Sequence, residues 1–321
     1  MKTRRLGTSG TKVSAISLGS WLTYGNAVEQ ERSDACVRTA FEGGINFFDT
    51  ADIYNRGEAE KALSKALAPF KRSDYVLASK AFWPMSDGVN DRGLSRKHLM
   101  EACHASLKRL GTDYLDLYQC HRFDPETPVE EVVRAMEDLI RQGKILYWGT
   151  SVWSAAQIEA ACGEAERWRA YRPISNQPRY NILHREIEAD IMPTSWRRGM
   201  GQIVYCPLAQ GLLTGKYRGG AIPPGSRAAD DANNSFLRPH LTERNLAIAD
   251  QVAERARELG HTPAQLSLAW ILRREEVSSA IIGATRPEQI EENLGAVDIE
   301  LDDETIALIE RWTGADAPED F

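Results

Sequence analysis

The stretch FFDTADIYNRGEAE, residues 47–60, places an aspartate at the end of an apolar run and a tyrosine on the polar segment after it. The run INFF before Asp49 is typical of a buried strand, and Tyr54 lies in a loop that Gly57 closes. The stretch predicts a functional site only if neighbouring strands bring a cation and a second hydrogen-bond donor to the same place.

Working outward from this stretch, short apolar runs alternate with amphipathic segments along the whole chain. Eight such runs read as strands, at residues 13–19, 45–50, 75–80, 114–121, 145–151, 173–177, 202–208 and 278–284. Strand–helix alternation at a spacing of about 30 to 40 residues is typical of β/α units with a parallel sheet. Eight units in one chain predict a closed (β/α)₈ barrel of the TIM type.

Several of the intervening segments carry helix start signals. Thr127 followed by Pro128, and Thr262 followed by Pro263, offer an N-cap residue and a proline at the first helical position. Ser154 with a glutamine three residues later forms a capping-box pattern. These signals support helices between the predicted strands.

The main alternative fold is a doubly wound nucleotide-binding sheet. That fold usually carries G-x-G-x-x-G after its first strand, whereas this chain has LGSWLTYGN there, so we favour the barrel. The opening segment, residues 4–16, predicts a β-hairpin that covers the N-terminal end of the barrel. Residues 302–312 predict an extra C-terminal helix, and residues 1–321 are predicted to form a single domain.

Composition excludes several classes of function. A net charge of −7 argues against a nucleic-acid or anionic-membrane surface as the main partner. No apolar run approaches the roughly 20 residues that span a bilayer, and the start lacks the apolar core of a signal peptide, so we expect a cytoplasmic protein without membrane insertion. The five scattered cysteines fit reduced thiols better than disulfides, and no metal site is expected.

In a barrel of this kind, residues at the C-terminal ends of strands point into the active site. Asp49, Lys80 and His121 end three consecutive predicted strands, and Tyr54 follows Asp49 on the adjoining loop. Each residue alone is more often structural, but together they suit a defined chemistry. A lysine ammonium lowers the pKa of a nearby phenol, a carboxylate keeps the lysine charged, and an imidazole orients a substrate oxygen. Such a site protonates a carbonyl oxygen that is being reduced.

These four residues resemble the tetrad of the aldo-keto reductase superfamily. Within it the chain resembles the voltage-gated potassium channel β-subunit group and its bacterial aldehyde-reductase relatives. The matching stretches are LGTSGTKVSAISLGSW (6–21), GINFFDTADIY (44–54), GLSRKH (93–98), SLKRLGTDYLDLYQCHRFD (106–124), YWGTS (147–151), PLAQGLLTGKY (207–217) and SSAIIGATRPEQIEEN (278–293).

The resemblance implies a (β/α)₈ barrel that uses NADPH to reduce small carbonyl substrates. Tyr54 is then the proton donor, Lys80 and Asp49 tune it, and His121 orients the substrate, which Trp21 and Trp83 also contact. The cofactor contacts that the resemblance implies are Ser20, Trp21, Asp49, Ser151, Gln177, Tyr205, Cys206, Pro207, Leu208, Ala209, Gln210, Lys216, Ser226, Arg227, Gly283, Thr285, Gln289, Glu292 and Asn293. Among these, Ser151 and Gln177 bind the carboxamide and Tyr205 stacks on the nicotinamide.

Two segments fit this cofactor independently of the resemblance. Residues 283–293, GATRPEQIEEN, predict a tight turn into a helix with Thr285 as its N-cap, and a helix N-terminus binds phosphate through its free N–H groups. Residues 218–240 are long and rich in turn-forming residues, which favours a lid over the cofactor.

Three features depart from the channel group. Animal channel subunits carry asparagine where this chain has His121, which favours an active reductase. The chain begins almost directly at the hairpin, so no N-terminal channel-blocking peptide is expected. Residues 25–27 replace a glutamine-bearing stretch of that group.

The sequence therefore predicts an NADPH-dependent reductase of aldehydes or ketones. Two alternatives stay open: a redox-sensing regulatory subunit of a membrane channel or transporter with slow turnover, and an NAD(P)-dependent sugar or polyol dehydrogenase. A homo-oligomer is expected by resemblance, since the group contains tetramers.

Overall fold

The computed structural model describes residues 1–22, 24–25, 29–230 and 234–314. Ten strands lie in this part of the chain: β1 (Thr3–Arg5), β2 (Lys12–Ser14), β3 (Ile16–Gly19), β4 (Phe47–Asp49), β5 (Val76–Ala81), β6 (Leu115–Cys120), β7 (Ile145–Ser151), β8 (Ser175–Gln177), β9 (Gly201–Val204) and β10 (Val277–Ile282). The strands β3 to β10 pair in chain order, and β10 closes the ring onto β3. All eight pairings in the ring are parallel, so the predicted (β/α)₈ barrel is confirmed.

Ten α-helices accompany these strands in the same described ranges. They are α1 (Gln30–Glu42), α2 (Glu58–Leu67), α3 (Arg96–Leu110), α4 (Val129–Arg141), α5 (Ala155–Trp168), α6 (Ile191–Arg197), α7 (Glu243–Glu258), α8 (Pro263–Leu272), α9 (Pro287–Leu294) and α10 (Asp303–Thr313). The helix α10 is the predicted extra C-terminal helix, and the side chain of Asp302 caps it by accepting from the backbone N–H of Thr305. That residues 1–321 form one domain stays a prediction.

The N-terminal hairpin of β1 and β2 closes the amino-terminal end of the barrel, as expected. The Arg4 guanidinium donates hydrogen bonds to the carbonyls of Leu272, Arg274 and Val277, which lead into β10. The side chains of Leu6 and Val13 pack in one buried cluster with barrel residues that include Phe47, Leu117 and Ile203. Apolar side chains of the hairpin therefore fill this end of the barrel.

The helix start signals are confirmed at two of three positions. Ser154 and Thr262 each form a reciprocal capping box with a glutamine three residues later, at the starts of α5 and α8. The expectation that Thr127 caps α4 is wrong. Its hydroxyl donates to the carboxylate of Asp124 at 2.7 Å, and Pro128 occupies the N-cap position.

The predicted strands extend beyond the observed ones at several ends. The run at 13–19 is divided between β2 and β3, because the chain passes from the hairpin into the barrel at Ala15. The run at 202–208 stops pairing at Val204, since Cys206 takes a left-handed φ of 52° and the following proline has no N–H to donate. Residues 205–208 therefore belong to a loop at the rim.

No helix in the described ranges is both long and apolar enough to cross a membrane.

Candidate active site at the carboxyl ends of the barrel strands

Lys80 lies at the centre of a polar cluster at the carboxyl end of the barrel. Its ammonium group is fully buried and donates hydrogen bonds to Asp49 Oδ1 at 2.5 Å, the Thr50 carbonyl at 2.8 Å and the Tyr54 hydroxyl at 3.2 Å. An ammonium group has three N–H donors, so all three are satisfied. The structure thus brings together three of the four residues that the sequence singles out.

The carboxylate of Asp49 is held by two further side chains. Its second oxygen, Oδ2, accepts from Nε2 of Gln177 at 2.9 Å and from Nε2 of Gln119 at 3.3 Å. The sequence analysis did not single out Gln119. Its position could have been predicted, however, because side chains two residues apart on a strand point to the same face. Gln119 lies two residues after Leu117 and two before His121, so its side chain faces the barrel interior as theirs do.

The imidazole of His121 completes the cluster. Its ring packs edge-on against Tyr54, with 5.7 Å between the ring centroids, and edge-on against Trp83 at 6.4 Å. Its Nδ1 is buried and has no hydrogen-bond partner among the described residues. Burial and the nearby charges of Lys80 and Arg122 hold the pKa of His121 well below its usual value. The imidazole is therefore neutral at pH 7.

The direction of the Tyr54 pKa differs from the expectation. Burial of the phenol raises the pKa of Tyr54 well above its ordinary value, and the carboxylate of Asp49 raises it further. The ammonium of Lys80 cannot reverse this, because Asp49 lies 2.5 Å from it and offsets its charge. Burial likewise lowers the pKa of Lys80, with Asp49 opposing the shift. The phenol is therefore fully protonated at neutral pH.

Aromatic side chains form the walls beside Tyr54. Trp21 lies 6.4 Å from Tyr54 between ring centroids, and Phe236 packs edge-on against Trp21 at 5.0 Å. Trp83 packs against His121, whose ring in turn packs against Tyr54. Phe236 comes from the turn-rich segment at 218–240, so no local sequence signal could have placed it here.

Backbone strain is concentrated at this end of the barrel. Eight described non-glycine residues have positive φ, and one of them, Arg169, caps the end of α5. The other seven all follow the carboxyl ends of barrel strands: Leu22, Asn55, Arg56, Val152, Cys206, Ala209 and Gln210. Such backbone conformations cost about 1–3 kcal/mol each and cluster at functional sites.

The residues expected around a nicotinamide lie at the same rim. Ser20 donates through its hydroxyl to Thr50 Oγ1 at 2.8 Å, and the Ser151 hydroxyl donates to the carbonyl of Gln177 at 3.0 Å. Gln177 also contacts Asp49, as described above, so these residues border the Lys80 cluster. Tyr205 directly follows β9 and pairs with Arg179 in a single bridge.

The loop at 206–210 and the lid segment are tied together. The guanidinium of Arg227 donates to the side-chain carbonyl of Gln210, whose amide donates to the Cys206 sulfur at 3.0 Å. Ser226, just before Arg227, is buried and its hydroxyl has no partner in the described part of the chain. The turn-rich segment at 218–240 contains three short 3₁₀ segments in its described part, and residues 231–233 lie outside the described residues.

Three cations converge beyond this loop. Burial lowers the pKa of Lys216, and the positive charges of Arg227 and Arg286 lower it further, which places the three side chains within electrostatic reach of one another. None of the three forms an ion pair with a carboxylate among the residues that the structure describes. Gly211 has a φ of +95°, which favours glycine, and a Cβ added there would lie 2.8 Å from Lys216 Nζ, so the lysine packs closely against this loop. A cluster of three like charges, none of them ion-paired within the described ranges, fits an anionic group.

The helix α9 begins beside these cations, but Thr285 does not cap it as expected. Arg286 occupies the N-cap position, and the backbone N–H of Thr285 donates instead to the side chain of Gln289 at 2.8 Å. No side chain caps this helix, which leaves its first N–H groups available to an anion. Asn293 is buried on the same helix, whereas Glu292 on the helix and Gly283 before it are exposed.

Comparisons with known proteins agree with this geometry. The model of the aldo/keto reductase family matches residues 15–313. A probable voltage-gated potassium channel subunit beta from Arabidopsis thaliana is 44% identical over 302 residues, which cover 93% of this chain and 92% of the relative. A putative subunit of the same name from Schizosaccharomyces pombe is 45% identical, covering 92% of this chain and 88% of the relative. A probable subunit of the same name from Oryza sativa is 42% identical over 302 residues, which cover 93% of this chain and 92% of the relative.

A second buried carboxyl group lies behind the site. Asp52 is 1% exposed, its Oδ1 accepts from the backbone N–H of Ile53 at 2.6 Å, and its Oδ2 has no partner among the described residues. Burial, with a further contribution from the charge of buried Glu60, raises the pKa of Asp52 to about 8. The carboxyl group is therefore largely protonated at neutral pH.

We expect Asp52→Asn to stabilise the fold increasingly as pH rises from 5 to 8. An unfolded aspartate ionises near a pKa of about 3.9, whereas folded Asp52 keeps its proton up to about pH 8. Between those values the native state binds the extra proton, so the free energy of unfolding of the wild type falls by at most about 1.4 kcal/mol per pH unit through this group. The asparagine variant has no ionisable group at this position, so its free energy of unfolding does not fall with pH through residue 52. Urea unfolding at pH 5 and pH 7.5 measures the difference.

Asp87→Asn, at an exposed loop position, is the control and should show no such trend. A stability difference between Asp52→Asn and wild type that is the same at both pH values would contradict the assignment.

Proposed function

Because the chain belongs to the aldo/keto reductase family, we propose that it reduces aldehydes or ketones to alcohols, with NADPH as the reductant and Tyr54 as the proton donor. The family supports oxidoreduction of carbonyl compounds in general. The choice of cofactor and the roles of individual residues are the finer parts of the proposal.

One observation carries the proposal. The buried ammonium of Lys80 contacts both the Asp49 carboxylate and the Tyr54 hydroxyl, at the end of the barrel where substrates reach the strands. A structural role alone accounts for the Lys80–Asp49 pair, but it does not require a phenol as the third partner. A phenol that faces an aromatic-walled mouth, beside a neutral imidazole, supports proton transfer to a substrate oxygen.

The residues present fit a bound NADPH. When bound, NADPH supplies the hydride that reduces the carbonyl carbon. Ser151, Gln177 and Tyr205 would hold its nicotinamide end beside Tyr54. The loop at 206–210 would follow the pyrophosphate, and the uncapped start of α9 with the three cations would hold the adenosine end.

The raised pKa of Tyr54 suits a proton donor that releases its proton only as negative charge develops on the substrate oxygen. The phenol stays protonated at neutral pH, so a proton is always present. An alkoxide oxygen is far more basic than a phenolate, so proton transfer becomes favourable as negative charge develops on the substrate. The Lys80 ammonium then stabilises the phenolate that remains, through the hydrogen bond it already makes.

His121 would position the oxygen that receives the proton. Since its pKa lies well below the usual value, the ring is neutral and keeps one N–H donor near neutral pH. The partnerless Nδ1 shows that the protein itself does not use both ring nitrogens within the described residues. A neutral donor can orient a carbonyl oxygen without competing with Tyr54 to protonate it.

A second candidate is a regulatory subunit that binds NADPH and turns over slowly. This candidate is favoured by the similar proteins, which are named as probable or putative voltage-gated potassium channel subunits. His121 and the complete Lys80 cluster favour the enzyme. Operation in the oxidative direction on a sugar or polyol, and a homo-oligomeric state, also remain part of the proposal, since the same site can transfer the proton either way.

We predict that Tyr54→Phe lowers kcat for aldehyde reduction by at least about a thousandfold while leaving the Kd for NADPH within about threefold of wild type. The lost hydroxyl contributes its proton mainly in the transition state, so its removal affects kcat rather than cofactor binding. Steady-state kinetics and fluorescence titration of NADPH measure the two quantities.

Tyr171→Phe, which removes the hydroxyl of an exposed tyrosine at the opposite end of the barrel, is the matched control. Substantial turnover by Tyr54→Phe would remove Tyr54 from the role of proton donor.

We also predict that the protein prefers NADPH to NADH because Arg227 and Lys216 face the 2′-phosphate. A hydrogen bond to a charged group contributes about 1.5–3 kcal/mol, so Arg227→Ala and Lys216→Ala should each weaken NADPH binding by about tenfold or more. NADH lacks the phosphate, and its affinity should change little. Fluorescence titration with both cofactors measures this.

Arg218→Ala is the control, because Arg218 lies on the same segment but pairs with Glu254 on the surface. Equal weakening of NADH and NADPH binding by Arg227→Ala, or equal affinities in the wild type, would refute the assignment.

A further inference from the structure

Arg122 places a positive charge at the mouth of the candidate active site. It follows His121 directly at the carboxyl end of β6, and its guanidinium carbon lies 5.6 Å from the centroid of the Trp83 ring. Trp83 in turn packs against His121, and His121 packs against Tyr54. Arg122, Trp83, His121 and Tyr54 therefore form one continuous surface at the rim.

The charge of Arg122 reaches the reacting groups. It acts on the pKa values of Tyr54, Lys80 and His121, and on that of Tyr205 across the mouth. A substrate whose carbonyl oxygen contacts Tyr54 and His121 therefore lies within the field of this guanidinium.

The structure gives Arg122 no anionic partner within the ranges it describes. Its Nη1 donates to the backbone carbonyl of His121 at 2.5 Å, and no carboxylate of a described residue lies within ion-pair distance. The nearby carboxylate of Asp124 is used by Leu94 and Thr127 instead. The remaining guanidinium N–H groups of Arg122, on Nε and Nη2, make no hydrogen bond to the described part of the protein.

The contrast with other arginines is informative. Arg134 also lies over a tryptophan, Trp168, at 4.7 Å, but its guanidinium pairs with Glu130 on the same helix. The chain carries a net charge of −7, so carboxylates are plentiful. Arg122 has no carboxylate partner among the described residues and lies beside the candidate reacting groups. Its guanidinium is therefore available to bind an anionic ligand.

The cofactor is not that anion. Its phosphates would lie along the loop at 206–210 and beside Lys216, Arg227 and Arg286. Arg122 instead adjoins Trp83 and His121, which the proposed function assigns to the substrate.

We propose that Arg122 is a specificity-determining residue that binds an oxyanion on the substrate, so that the preferred substrates are small aldehydes carrying a carboxylate or phosphate group. This inference rests on the proposed function, because it concerns the substrate of the same site. A guanidinium binds either group through parallel N–H donors, and that of Arg122 packs near the Trp83 ring.

Paired substrates that differ only in charge test the proposal. 3-Formylbenzoate and 4-formylbenzoate are compared with the corresponding formylbenzamides, with saturating NADPH. In the wild type kcat/KM for at least one of the two carboxylates should exceed that for its amide by about tenfold or more, mostly through KM. In Arg122→Met that ratio should fall close to one, and Arg122→Lys should restore part of it. Raising the salt concentration should also reduce the wild-type ratio.

Arg134→Met is the matched control, since it removes an arginine from a tryptophan far from the mouth, and it should leave the ratio unchanged. Wild-type ratios near one for both isomers, or a ratio that Arg122→Met does not alter, would overturn the proposal while leaving the reductase function intact.

A binding measurement separates this inference from the proposed function. The affinities of the protein–NADPH complex for 4-hydroxymethylbenzoate and 4-hydroxymethylbenzamide are measured from NADPH fluorescence, in the wild type and in Arg122→Met. If no aldehyde is reduced but the carboxylate binds more tightly through Arg122, the proposed function fails and the anion site stands. If neither reduction nor an Arg122-dependent preference in binding is found, both fail.

Discussion

The site depends on the ion pair between Lys80 and Asp49. A buried ammonium is tolerated only when its charge and its N–H groups are satisfied, and removing one member of a buried pair typically costs about 3–5 kcal/mol. Here the carboxylate, a backbone carbonyl and the Tyr54 hydroxyl satisfy the three donors of Lys80. The arrangement fixes Tyr54 relative to the strands, because its hydroxyl accepts the third hydrogen bond of the buried Lys80 ammonium group.

The barrel makes this pair possible through the register of its strands. Asp49 ends β4 opposite Ala78 of β5, and Lys80 lies two residues further along β5, on the same face. Lys80 in turn pairs in register with Gln119 of β6, whose amide supports the Asp49 carboxylate. Apolar side chains of the hairpin close the other end of the barrel, whereas the polar side chains of the Lys80 cluster lie at this rim.

Apolar runs that alternate with amphipathic segments made the fold and the strand-end residues predictable from the sequence. Asp49, Lys80 and His121 could be placed at one rim because each ends an apolar run, and the parallel barrel brings such ends together. Gln119 does not end a run, but it could have been placed by strand alternation, because it lies two residues before His121. Lys216 and Arg227, which we propose for the adenosine end of the cofactor, came from resemblance, and the structure adds the nearby charge of Arg286.

Features set by three-dimensional surroundings could not be predicted in this way. Local sequence suggested Thr285 as a cap, but a side chain one turn later, Gln289, competes for its backbone N–H. The pKa of Tyr54 depends on how deeply the whole rim buries the phenol, which no single neighbour reveals. Phe236 reaches the mouth from the turn-rich segment at 218–240, and Arg122 from the loop that follows β6. Outside regular strands and helices, side-chain direction follows no simple period.

The central claim is that the Lys80 cluster makes the protein a carbonyl reductase and not only a protein that binds NADPH. The most direct measurement is the amount of alcohol formed for each NADPH oxidised, when the wild-type protein is incubated with an aldehyde over many turnovers. The account predicts one alcohol per NADPH, continuing well beyond one equivalent of protein. Tight NADPH binding with at most one equivalent of alcohol per protein molecule would contradict it.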